Sequence, residues 1–343
     1  KRGQGLLILG GSNNFAGATT VANGALRLIN GDALGGAGGS VSVGNGAALQ
    51  IAGGITVTNA LALTGAGAAY NGALRSMSGD NTWAGPVTIV AGTSGRIAVD
   101  ANSLTLSGPV TNNASGVVSY IGGAGTARVS GVIAGGGALG KNGSGLMTLS
   151  ASNLYTGGTY LREGTMELDF AAPAAPSAFI IPTGSTLSMG SGTLRAISAA
   201  SGISSQRFAS GINLSPGFVQ PGNNAVVASN TPGGAMILDL GNVARNQGGG
   251  FLDFTPPGGS GAIFVNNVTN VGGIFGGWAT VGGTDWATTN ASGVTAYTTY
   301  SNLQSGAAIA NSPASNSNVR IIDGGAGNDN LNAAGVTTKN SLL

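Results

Sequence analysis

The sequence predicts an all-β solenoid with glycine-rich turns. Three observations carry that expectation. Apolar residues recur at period two in short runs, glycine-rich breaks separate the runs at close intervals, and the chain repeats itself.

The first is plainest between residues 41 and 63. Val41/Val43, Leu49/Ile51, Ile55/Val57 and Leu61/Leu63 each place two apolar residues one apart, as half-buried strands do. The breaks are Gly44-Asn45-Gly46, Gly53-Gly54 and Gly65-Ala66-Gly67, where glycine supplies the backbone angles of tight turns. From Val41 to Leu61 is 20 residues, room for one coil of three short strands. A helical reading fails, because glycine and β-branched residues interrupt every window with helical apolar spacing.

Residues 1–28 and 141–168 align without a gap. They share Lys1/Lys141, Gly3/Gly143, Gly5/Gly145, Leu6/Leu146, Leu9/Leu149, Asn13/Asn153, Gly17/Gly157, Thr19/Thr159, Gly24/Gly164 and Leu28/Leu168. A weaker copy spans 79–90. The recurrent motif is Asn-x-aromatic-x-Gly: Asn13, Phe15 and Gly17; Asn81, Trp83 and Gly85; Asn153, Tyr155 and Gly157. Its asparagines are 68 and then 72 residues apart, roughly three coils of about 20–25 residues each. Leu7, Leu9, Met147 and Leu149 are expected to point inward, and the aromatics to fill the core or cap a turn. The asparagines are expected at turns, too far apart to stack on one another.

Pro173, Pro176 and Pro182 mark a composition shift. We therefore divide the chain into a regular solenoid, 1–172, and a less regular β-rich continuation, 173–343.

Composition narrows function. Only 7% of residues are charged, with 13 Lys and Arg against 11 Asp and Glu, where about 25% is usual. That balance offers no basic field for nucleic acid. Glycine accounts for 65 of 343 residues, yet 42% are hydrophobic and the mean hydropathy is +0.25, which argues against disorder. There is no Cys and no His, so disulfides, thiolate nucleophiles, histidine-based triads and the usual zinc sites are unavailable. The chain opens on Lys1-Arg2-Gly3 inside a repeat, with no apolar leader, and reads as a piece of something longer.

The stretch KNGSGLMTLSASNLYTGGTYLREGTMEL, residues 141–168, resembles the passenger-associated transport repeat of autotransporter proteins, as do 1–28 and, in part, 79–90. The resemblance implies a right-handed parallel β-helix, and a parent protein whose C-terminal barrel, absent from this chain, crosses the outer membrane. It implies display at the bacterial cell surface or release outside the cell, and it carries no catalytic residues.

Two further patterns are weighed against blander alternatives. Residues 324–332 fit the calcium-binding nonapeptide GGxGxDxUx, with Asp323 and Asp329 as ligands. A single copy lacks the neighbouring turn that shares the ion, so a glycine-rich turn without cofactor is the favoured reading. The scattered acids could serve a polysaccharide-acting β-helix enzyme, which needs two facing carboxyls. Asp239 and Asp253, alternating with apolar residues, read instead as outward strand positions, and Glu167 and Asp169 as members of an exposed ion pair near Arg162. The expectation is a structural or adhesive surface segment, self-assembly into fibres included, rather than an enzyme. The alternatives are that enzyme and a passive export spacer. Its partners would be its own stacked coils or a longer parent chain, and host or matrix glycans, but not nucleic acid.

Overall fold

A computed structural model describes residues 1–36, 38–214, 222–245, 250–268, 270, 272–304, 318–322 and 341–342. It is all-β, a solenoid of about 10 turns with parallel stacked coils. The one helical element among the described residues is a single 3-10 turn at Ala68–Tyr70.

Three sheets wrap the axis. An eleven-stranded sheet runs from Leu6–Leu9 to Val243–Arg245, and a six-stranded sheet from Thr19–Val21 to Ile133–Ala134. A twelve-stranded sheet begins at Thr56–Val57. One coil passes through them in order: Leu74–Ser78 in the eleven-stranded sheet, Asn81–Trp83 in the twelve-stranded, Val87–Ile89 in the six-stranded, then Arg96–Val99 back in the first. Among the described residues every strand-to-strand pairing is parallel until Ala279–Val281, where Asp285–Asn290 and Gly293–Ala296 turn back antiparallel; an isolated Ser115–Gly137 bridge is also antiparallel.

The pairing is parallel because each strand meets the same strand of the next coil, and this register aligns like residues. One inward ladder reads Leu26, Leu49, Leu74, Ile97 and Ile121. Another reads Leu104, Ala127, Met147, Met166, Leu194, Val226 and Phe254. These side chains are all buried and form one continuous core. Each aliphatic rung in such a core contributes roughly 1.5–3 kcal/mol of burial.

The sheets cross residue 172 without a break, through the pairings of Gly164–Asp169 with Gly192–Ile197 and of Thr159–Leu161 with Leu187–Met189. What changes near the prolines is the third face. The six-stranded sheet stops at Ile133–Ala134, and two coils follow without a strand there. A new sheet of Gly202–Arg207, Gly234–Asp239 and Ala262–Phe264 then takes over.

Candidate functional site

The repeat motif is where sequence identity recurs, and its copies differ in where the coil places it. Asn153 lies on the third face, in the gap where strand pairing lapses. Its Oδ1 accepts from the Ile133 backbone N–H at 2.8 Å. Its Nδ2 donates to Ala151 O at 3.0 Å and to Ile180 O at 2.8 Å. Ile133 is one coil behind and Ile180 one coil ahead, so a single buried amide joins three coils. Two coils past Asn153, Gln206 makes a similar link to one neighbouring coil: Oε1 accepts from Ile181 N and Nε2 donates to Ile181 O, both at 2.9 Å. Side-chain amides here supplement the sparse backbone bonds that still join these coils, such as Leu154 N to Ile133 O at 2.7 Å, since buried peptide groups must find partners.

Asn81 is also buried but opens the strand Asn81–Trp83 rather than sitting in a loop. Its Oδ1 accepts from Gly54 N at 3.1 Å and Ile55 N at 3.0 Å, while Nδ2 donates to Ser76 Oγ and to the carbonyls of Ser78 and Gly79. Asn13 is exposed and bonds Ala33 O at 2.8 Å. Each amide of the three bonds backbone of adjoining coils; none bonds another asparagine of the motif.

The aromatics divide. Trp83 and Tyr155 are fully enclosed, whereas Phe15 on the first coil is 39% exposed. The Tyr155 hydroxyl bonds Thr159 Oγ1 at 2.6 Å, Thr159 bonds Ser185 Oγ at 2.9 Å, and Ser185 donates to Gly157 O at 2.9 Å. Burial pushes the Tyr155 phenol far above its ordinary value, so it stays neutral as a structural donor. Leu7 is also half-exposed, while Met147 and Leu149 at the matching positions are enclosed. The motif glycines differ in the same way. A Cβ on Gly85 would stand 2.1 Å from Asn59 O, and one on Gly157 2.6 Å from the Ala138 backbone, but one on Gly17 meets nothing within 4 Å.

Sequence reasoning did not single out the lysine of the repeat. Lys141 stands in the inward ladder between Ile121 and Leu161 and is completely buried. Its ammonium reaches along the inside of the coil to the turn. There it donates to Asn142 O at 3.0 Å, to Gly143 O, and to Glu163 O at 3.2 Å. Lys1 repeats this on Arg2 O, Gly3 O and Asn23 O. Burial lowers the Lys141 pKa to about 8, against a smaller opposing pull from Glu163. Gly24 and Gly164, with φ of 67° and 70°, sit where these carbonyls converge and leave no room for a side chain. The usable signals in sequence were the Lys1/Lys141 identity and the alternation Leu139-x-Lys141, which places the lysine inward.

The carboxylates are tied to neighbouring coils. Glu167 is buried and pairs with Arg195 across the strand register, not with Arg162 as its proximity in sequence suggests. Arg75 pairs with Asp100 at 2.7 Å and Arg207 with Asp239 at 3.3 Å. Asp169 caps Ala171 N, and Asp253 accepts from Thr280 and Gly283. Among the described residues no group of three or more acidic, His or Cys side chains could hold a metal. No helix among the described residues is long and apolar enough to cross a membrane. Asp323 and Asp329 lie outside the described residues.

Fold and motif together define a repeat-built parallel β-solenoid whose coils are joined by side-chain amides, those of Asn81 and Asn153 buried, and by the buried Lys141. Residues 1–28, 76–93 and 139–168 match the passenger-associated-transport-repeat family model. The chain is 35% identical over 133 residues to the adhesin BmaC autotransporter of Brucella suis biovar 1 (strain 1330), a match covering 39% of this chain and 4% of that protein. No solved structure matches. The chain thus carries three stretches similar to the passenger-associated transport repeat and is similar, over part of its length, to a small part of an autotransporter adhesin.

Proposed function

We propose that this segment is an adhesive, load-bearing stretch of a passenger displayed at the bacterial surface, and not an enzyme. The observation carrying it is the stacking of about 10 parallel coils, which at ~4.8 Å each give a rod of ~50 Å with two sheets running along it past residue 240. Engagement of Glu167, Asp100 and Asp239 in ion pairs supports a structural role for those acids. The similar Brucella protein is named an adhesin. Self-assembly is the finer part of the proposal. Coils stacked in parallel register pair edge to edge, the geometry by which one copy would continue another.

The test has two arms. Beads coated with the purified chain should be retained on host cells or matrix; retention no greater than that of bare beads would remove the adhesive reading. Negative-stain microscopy should show end-to-end fibres that persist in chelator, in keeping with a cofactor-free fold. Separate short rods would overturn self-assembly and leave a stalk, and collapse on chelation would overturn the cofactor-free reading in favour of calcium at Asp323 and Asp329.

A further inference from the structure

The outer face of the eleven-stranded sheet gathers aromatic and cationic side chains. Arg96 is in register with Tyr120, Tyr120 with Gly140, and Gly140 with Tyr160. Two coil spacings thus set the tyrosines about 9–10 Å apart. A side chain on Gly140 would strike the Tyr120 ring, so glycine is what lets this ring lie flat on the sheet. The Arg162 guanidinium lies over the same ring, 4.8 Å from its centroid. Arg96 reaches Asn142, whose amide oxygen, in the orientation that satisfies its neighbours, accepts from Nη1 at 3.1 Å and Nη2 at 3.2 Å.

Neither arginine has a carboxylate within ion-pair reach among the described residues. The nearby acids are committed elsewhere: Asp100 to Arg75, and Glu163 to Gly143 N at 2.7 Å. The Nε atoms of Arg96 and Arg162 are both buried without a hydrogen-bond partner. In a chain with 13 basic residues in all, two guanidinium groups without a carboxylate partner beside two half-buried tyrosines form a cationic, aromatic patch that suits an anionic ligand.

We propose that this face binds an acidic polysaccharide. The Tyr160 ring stacks on its sugar rings, Tyr120 holds the Arg162 guanidinium over the sheet, and Arg96 and Arg162 grip its carboxylate or sulfate groups. Side chains in register along a sheet suit an extended chain of repeated units, and guanidinium forks suit planar or tetrahedral oxyanions. The proposal builds on the adhesive reading by naming the partner's chemistry.

The experiment measures binding of the purified chain to dextran sulfate, polygalacturonate and neutral dextran. Binding to one or both acidic polymers, weakened by salt and absent with dextran, is expected; their relative affinities separate sulfate from carboxylate as the anion. The double variant Arg96→Gln/Arg162→Gln should lose about 10–100-fold in affinity. Tyr160→Ala should weaken binding with melting unchanged. Arg128→Gln, an exposed cation on another face, should bind as the parent does. The proposal is overturned by no binding to either acidic polymer, by equal loss in Arg128→Gln, or by unchanged affinity in the double variant. Should that happen while coated beads still adhere to cells, the adhesive reading stands and only the glycan partner falls.

Discussion

Replacing Asn153 by alanine probes how the coils are joined where strand pairing lapses. The side chain contributes three hydrogen bonds, to Ile133 N, Ala151 O and Ile180 O. Ile180 O keeps a second donor, the Asn153 backbone N–H at 3.1 Å. Ile133 N loses its partner in a buried site. One orphaned donor costs about 1–3 kcal/mol, and two further lost bonds about 1 kcal/mol each, so Asn153→Ala should destabilise by ~3–5 kcal/mol. Asn13→Ala supplies the comparison: that amide is exposed, and its loss should cost under ~1 kcal/mol. Asn153→Asp should be at least as damaging as alanine, because a carboxylate oxygen would face two carbonyls. Urea unfolding followed by circular dichroism gives the stability difference. Hydrogen exchange at the Ile133 amide locates it, with protection falling about 100-fold or more at 3 kcal/mol. If Asn153→Ala costs no more than Asn13→Ala, or the Ile133 amide keeps its protection, the buried amide is not what joins these coils.

Three other outcomes follow from the same geometry. Gly85→Ala and Gly157→Ala should each destabilise by about 1–3 kcal/mol, because the new methyl meets backbone of the adjoining coil; Gly17→Ala should stay within about 0.5 kcal/mol, and thermal melts rank the three. Lys141 loses its proton near pH 8 when folded and near 10.5 when unfolded. Its contribution is therefore flat below about pH 8 and rises with pH between 8 and 10.5, by up to ~3 kcal/mol, since the unfolded chain then holds more protons. Unfolding titrations across that window should show the rise, and Lys141→Met should abolish it. Arg195→Gln strands the buried Glu167 carboxylate and should cost about 3 kcal/mol by denaturant unfolding, against under ~1 kcal/mol for Asp100→Asn at the more exposed pair.

Much of the fold is legible in the sequence. The period-two pairs at 41–63 become the strands Ser40–Val43, Ala48–Ala52, Thr56–Val57 and Ala60–Leu63, with the paired aliphatics inward. Period two marks a face, and glycine marks a turn, whatever surrounds them. The motif was legible as a recurrence but not as a site. Asn81 and Asn153 share a pattern, yet one begins a strand and the other bridges a gap between strands. The rotation of the copies was not legible. Leu6–Leu9 and Ala25–Leu28 pair in the eleven-stranded sheet, with Leu7 opposite Leu26. Their counterparts, with Met147 opposite Met166, pair in the twelve-stranded sheet. The same local structure recurs one face further round the axis, because coil lengths between the copies vary, with partners 20 to 28 residues apart.

The sequence by itself determined the all-β solenoid, the turn positions and the repeat, because these depend on alternation and backbone freedom within a few residues. Only the tertiary structure decided that Lys141 belongs to the core ladder, that Glu167 pairs with Arg195, and that Arg96, Tyr120, Tyr160 and Arg162 share one face. Each of those contacts joins residues a coil or more apart, and which residues stack is set by the summed length of every turn between them.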